Sequence, residues 1–319
     1  MIPTLLLALA AAAEPALSVD LAPFPGGRTM AYSLCCDEGL REHVEVVAPA
    51  LAERDLRASF FLIVGSIPER AEEGRAKPAG APGSASWASW RELAMAGHEL
   101  GNLSWSHPYL TRVERERWHR EVVVSRDLIA RRTGVMPTCF ALPFGAGSDA
   151  LREFIAESHP VLRGEARLLA DDPAGMVEYV LREGGWRIGV VRGLGDAPGS
   201  ISVEALHAHL DALVRHRGAI WIAPVGAVAA HVRQRARLQP RVIALGQARW
   251  ELHLPVPAGG DGPASIDVVG SVAGVPDYIG IEARRGSATL TVQADVRERR
   301  FRLNLAPGPD PVQLTVLTR

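Results

Sequence analysis

The alternation of two hydrophobic periods constrains this chain more than any other feature. From residue 29 to about 238, apolar runs of strand length alternate with longer segments of helical spacing. The strand-like runs are "TMAYSLC" (29–35), "ASFFLIVG" (58–65), "HELGN" (98–102), "PTCFALPFG" (137–145), "PVLRG" (160–164), "WRIGVVRGL" (186–194) and "AIWIAPVG" (219–226). Helical spacing covers 40–56, 87–97, 109–134, 149–158, 203–218 and 227–237. In the first of these, Val44, Val47, Ala48 and Leu51 share a face. The long segment 109–134 is amphipathic and stops at Gly134. This order predicts parallel strands with helices outside them, as an α/β barrel or an open sheet.

Beyond Pro240 the texture changes to short alternating runs broken by Gly/Pro turns. That pattern predicts a small antiparallel β-sandwich over 240–319, following an α/β domain over 25–238. At the other end, "MIPTLLLALAAAAEPALS" carries an apolar run from Leu5 to Ala13 that ends in small residues. It is too short to span a bilayer, and it reads as a signal peptide over 1–16, cleaved after Ala13 or Ala16, which implies export to the periplasm or the exterior. A basic segment ahead of the run is missing. No later segment has the length and apolarity of a membrane-spanning helix.

A formal net charge of −1 leaves no global field for nucleic acid or acidic membranes. Every basic residue except Lys77 is Arg, which together with abundant Ala, Gly and Pro reads as genome composition. Cys35, Cys36 and Cys139 make neither a disulfide framework nor a CxxC zinc pattern, and they read as buried small hydrophobes. The oligomeric state is not encoded in any of these features.

In barrels of parallel strands the chemistry sits at the C-terminal strand ends. Three stretches there carry candidate groups. "SLCCDEG" places Asp37 and Glu38 at a strand end before a glycine, as a metal ligand and a base or as an acidic helix cap. "GHELGNLSWSHPYL" places His107 near Ser104 and Ser106. "FALPFG" makes a rigid turn at Phe144 whose N–H groups could face an oxyanion.

Together these motifs resemble the polysaccharide deacetylases, the domain type of nodulation chitooligosaccharide deacetylase, over about residues 25–238. The resemblance also rests on "GVMPTCFALPFG" and "AIWIAPVGAVAAHV". It implies a deformed (β/α) barrel with fewer than eight strands. It also implies metal-assisted hydrolysis of N- or O-acetyl groups on a polysaccharide or oligosaccharide, with a divalent cation, often zinc. Asp37 matches the base, Glu38 the metal-binding carboxylate, His107 a metal histidine, and Phe144 the turn residue whose N–H faces the oxyanion. Leu103 stands where the other metal histidine belongs, and Glu38 is one methylene longer than the family's Asp. Ala141 stands where many members have Arg, and Ala223 and Pro224 occupy the region of a late histidine.

A catalytic zinc site normally has three protein ligands plus water. Two readings follow. The first is an exported deacetylase with a degraded metal site. The second is an inactive homologue that binds carbohydrate or a protein partner in the old cleft, helped by Trp105 and Trp221. A metal-independent hydrolase built on Asp37 lacks a nucleophile–base pair.

Overall fold

The computed structural model describes residues 15–68, 83–169, 172–173, 175–256 and 265–319. They form two compact units: Arg28–His231, and the segment up to Gly27 together with Val232–Arg319. The first strand, β1 (Ala16–Leu21), belongs to the second unit.

The first unit is built on β2 (Met30–Glu38), β3 (Ser59–Leu62), β4 (Glu99–Asn102), β5 (Cys139–Phe140), β6 (Val161–Leu162), β7 (Arg167–Leu168) and β8 (Gly185–Val191). They are parallel, in the order β6-β5-β4-β3-β2-β8-β7. β9 (Gly193–Leu194) and β10 (Ser200–Ile201) form a separate short pair. β11 (Ile220–Ile222) pairs with Met30–Tyr32 of β2, and β3 pairs with Cys35–Glu38. With β11 the sheet counts eight strands, so the expectation of fewer than eight does not hold as a count. Three of them, β5, β6 and β7, are only two residues long.

The connectivity forces this sheet to curl. β6 and β7 stand at its two ends, yet only residues 163–166 join them. Five residue steps span at most about 18 Å, whereas seven strands laid flat would hold those ends about 29 Å apart. The inside of the curl is filled by Cys35, Phe61, Leu103, Cys139, Ala141, Val161, Ile188 and Val190, which share one apolar cluster. Alternate residues Tyr32, Leu34, Cys36, Phe60, Leu62 and Leu100 belong to the separate cluster that includes the helices' buried faces. Gly101 is required inside the barrel, because a Cβ there would stand 2.5 Å from the Phe61 ring.

The helices are α1 (Ala48–Ala52), α2 (Trp87–Met95), α3 (Arg115–Trp118), α4 (Ser125–Thr133), α5 (Asp149–Ala156), α6 (Gly175–Glu183), α7 (Val203–Arg215) and α8 (Val225–Arg237). Ser86, Ser148 and Ser202 cap α2, α5 and α7 by accepting from the backbone N–H three residues on. Gly134, at φ 81°, ends α4 where the sequence predicts a stop. Between α3 and α4 lies a π-helical turn, His119–Val124. Glu99 caps α8 from a strand: both its carboxylate oxygens accept from Gly226 N–H, at 3.1 and 3.0 Å. The stretch 165–185, given no element from sequence, supplies β7 and α6.

The second unit holds β12 (Arg241–Gly246), β13 (Arg249–Leu254), β14 (Ile266–Ala273), β15 (Tyr278–Arg285), β16 (Ala288–Leu290), β17 (Val292–Asp295), β18 (Arg300–Leu305) and β19 (Gly308–Thr318). Its sheets run β1-β14-β18-β17 and β12-β13-β19-β15-β16, all antiparallel. Trp250, Leu252, Val268, Phe301, Leu303, Val312 and Leu314, from both sheets, share one apolar cluster, so they form a sandwich. The units part at His231/Val232 rather than at Pro240, and the second includes β1, which lies outside the 240–319 span. The reason is pairing: Ala16–Leu21 bonds to β14 along its whole length, with Leu17, Val19 and Leu21 turned to the sandwich core. Of the expected signal peptide 1–16, residues 1–14 lie outside the described residues, and Ala16 opens β1. Among the described residues no helix is long and apolar enough to cross a membrane. All three cysteines are buried and free.

Of the buried histidines in the barrel unit, burial lowers His43, His98, His159 and His209 from 6.5 to a pKa of about 4 each. Above pH 6.5 they are neutral in both folded and unfolded chains. Below it the unfolded chain takes up protons that the fold refuses, so stability falls until the folded pKa near 4 is reached. Each histidine contributes about 1.4 kcal/mol per pH unit across that window. The melting temperature, followed by calorimetry, is therefore expected to drop steeply between pH 6 and pH 4; a flat profile over that range contradicts the buried neutral state.

Candidate active site at the barrel mouth

Parallel strands bring their C-terminal ends to one side. There β2 delivers Asp37 and Glu38, the segment after β4 delivers Leu103–His107, and the turn after β5 delivers Phe144. Two groups that the sequence expectations omit join them: Arg163, just beyond β6, and Arg192, just beyond β8.

Asp37 is buried and held by Arg163 in a two-pronged ion pair, Nη1–Oδ1 2.5 Å and Nη2–Oδ2 2.9 Å. The guanidinium lies over the Phe61 ring, 4.6 Å from its centre. Ala141, just beyond β5, where the family resemblance leads one to look for an arginine, is fully buried. Glu38, at φ 81°, turns off the strand, and its nearest cation is Arg192, Nε–Oε1 3.7 Å. Burial raises the Glu38 carboxyl, Arg192 opposes that, and Asp37 adds to it. Arg192 is placed through its own carbonyl, which accepts from His43 Nε2–H at 2.8 Å. Leu40 N–H donates to His43 Nδ1, at 3.3 Å, so the ring proton sits on Nε2.

The histidine loop is pinned from two sides. Asn102 Oδ1 accepts from Ser104 N–H at 3.0 Å, while its amide nitrogen faces Val122 O, Ser125 Oγ and His159 Nε2. The buried Glu121, on the π turn, accepts from Ser106 N–H at 2.8 Å and from Ser106 Oγ at 2.7 Å. Ser104 Oγ then accepts from His107 N–H at 2.8 Å. The His107 ring packs on Phe144, with centroids 4.6 Å apart. Burial lowers the His107 pKa; Asp37 opposes that, and Arg192 and Arg163 lower it further. Leu103 is only 2 % exposed and belongs to the barrel's inner apolar cluster.

Phe144 sits in the Pro143–Gly145 turn at φ 56°, and its ring stacks on Tyr109 at 4.0 Å and 12°. Arg112 covers Tyr109 at 4.5 Å from the ring centre. Phe144 is 49 % and Tyr109 39 % exposed, so the accessible aromatic surface at the mouth is theirs. Trp105 and Trp221 do not have the exposure expected of them. Trp105 is half-buried against Gly65 and Arg120, and Trp221 is half-buried, edge-on to His231. Ala223 and Pro224 follow β11 as the sequence implies, and His231 lies on α8. Among the described residues eight non-glycine positions have positive φ, and four of them, Glu38, Ser104, His107 and Phe144, lie in this mouth. Such conformations cost about 1–3 kcal/mol each and persist only where neighbours enforce them.

The donor set does not fit a catalytic cation. No group of three or more His, Cys, Asp and Glu side chains converges on one point among the described residues. Glu38 and His107 share the mouth, but Leu103 is apolar and buried, Asp37 is taken by Arg163, and Arg192 stands beside Glu38. The metal-ligand roles expected for Glu38 and His107 thus find no third ligand.

Comparison with known proteins agrees with the motifs. The polysaccharide deacetylase family profile matches residues 27–159. A peptidoglycan-N-acetylmuramic acid deacetylase, PdaC of Bacillus subtilis, is 39% identical over 56 residues, 18% of this chain and 12% of that protein. A peptidoglycan-N-acetylglucosamine deacetylase, PgdA of Listeria monocytogenes, is 26% identical over 140 residues, 43% of this chain and 27% of that protein. The chain thus spans about a quarter or less of the length of these curated relatives. The solved structure of B. subtilis PdaC superposes with a TM-score of 0.48 at 21% identity, covering 65% of this chain and 94% of that one. Residues 27–159 thus match the polysaccharide deacetylase family, the one that the sequence motifs resemble.

Proposed function

We propose that this chain is a deacetylase homologue that binds an acetylated glycan at the barrel mouth without hydrolysing it. The observation that carries this reading is Leu103: the position of a metal-binding imidazole holds a side chain packed into the barrel's apolar interior. A site missing an imidazole ligand and lined by hydrocarbon is poor at holding an ion. Asp37, matched to the base, has both oxygens committed to Arg163. What the mouth keeps is a recognition surface. The half-exposed Phe144, backed by Tyr109, offers a flat apolar face for a pyranose ring, and Arg192 and Glu38 offer polar groups beside it. The named relatives act on peptidoglycan, which suggests N-acetylated glycan strands as the ligand and a location outside the cytoplasm, consistent with the apolar run Leu5–Ala13.

Two measurements test this. Purified protein dialysed against zinc should hold far less than one equivalent by elemental analysis, and should release no acetate from peptidoglycan fragments or chitooligosaccharides. One equivalent of metal with acetate release would establish the hydrolase reading instead. Calorimetric titration with the same glycans should show binding, and Phe144→Ala should weaken it about tenfold through loss of the stacking face. Unchanged affinity in that variant places the ligand elsewhere.

A further inference from the structure

The geometry points to Arg192 as an intrinsic cation that takes the electrostatic place of a metal ion at the barrel mouth. This rests on the metal-free reading above and goes beyond it, because it assigns the exclusion of metal to a charge as well as to a missing ligand.

Three observations converge on it. The Arg192 Nε lies 3.7 Å from Glu38 Oε1, the carboxylate matched to a metal ligand. The Arg192 backbone is fixed by the His43 bond to its carbonyl. The alternation Trp186, Ile188, Val190 along β8 turns every second residue inward, and Arg192 continues that series at the strand's end. With Arg163 on Asp37, each acidic side chain at the mouth then has its own guanidinium. The two carboxylates, which would otherwise repel one another at adjacent positions, are neutralised by the fold itself.

The consequence can be sized. A divalent ion carried on Glu38 Oε1 would sit about 2 Å from that oxygen, hence within about 6 Å of Arg192. A unit positive charge about 6 Å from a divalent ion weakens its binding about tenfold even at the dielectric of bulk water. Restoring the imidazole alone therefore leaves a second obstacle.

The test compares zinc affinity, by calorimetric titration and by the visible spectrum of the cobalt-substituted protein, across four full-length proteins whose folding is verified by circular dichroism. These are the wild type, Leu103→His, Leu103→His with Arg192→Gln, and Leu103→His with Arg192→Lys. The Gln double variant is expected to bind zinc at least about tenfold more tightly than Leu103→His. The Lys double variant, which keeps the charge but not the planar fork, should stay close to Leu103→His. Equal zinc affinity in Leu103→His and the Gln double variant, both tight or both undetectable, overturns the assignment. So does a Lys variant that behaves like the Gln variant, because bulk rather than charge would then be the obstacle. Stoichiometric zinc in the wild type is a different failure: it removes the metal-free reading itself.

Discussion

The barrel mouth depends on the ion pair between Asp37 and Arg163. In sheet order β2 and β6 are four strands apart, about 19 Å if the sheet were flat. A two-pronged contact of 2.5 and 2.9 Å between groups at their ends requires the sheet to have curled over. Both partners are largely withdrawn from water, with side-chain exposures of 11% and 12%. Removing either would strand a buried charge, a loss of about 3–5 kcal/mol in comparable sites. The pair also has a floor: Arg163 rests on Phe61, which can fill the barrel because position 101 has no side chain.

Around that pair the loops are held by polar groups that belong to neighbouring elements. Asn102 and Glu121 between them bond to Ser104 and Ser106, and a serine hydroxyl then fixes the His107 backbone. These bonds explain how Ser104 and His107 persist at positive φ. The π turn that carries Glu121 inserts one extra residue per turn into what would otherwise be a regular helix, and such turns recur at functional sites. The mouth is therefore rigidly built although its donor set does not fit a metal.

Much of this was legible in the residues. Strand and helix periods located most elements of the barrel unit within a few residues, because continuous apolar strands and amphipathic helices have distinct spacings. β7 and α6 were missed: a two-residue strand has no period, and the aspartate that accepts from Gly175 N–H at the start of α6, Asp172, was a signal left unread. β1 was missed although Leu17, Val19 and Leu21 alternate, because they adjoin the leader-like run. Asp37, Glu38, His107 and Phe144 were visible as motif residues. Arg163 and Arg192 were not, since one charged residue after a short strand has no motif; only the inward alternation Val161/Arg163 and Val190/Arg192 hints at them. Glu121 had no place among the motif residues, and it is buried on a π turn within the 109–134 segment that the hydrophobic spacing does not reveal.

The amino-acid sequence by itself determined the order of elements, the change from parallel to antiparallel architecture near residue 240, the match of residues 27–159 to the polysaccharide deacetylase profile, and the absence of an imidazole at position 103. These are properties of local spacing and residue identity. Tertiary structure decided which charges meet. Asp37 and Arg163 are 126 residues apart, and curling of the parallel sheet brings them together; Glu38 and Arg192 are separated by 154 positions along the chain, and the pairing of β2 with β8 brings them within ion-pair reach. Electrostatic pairing depends on distance through space, and only the pairing and curling of the strands set that distance.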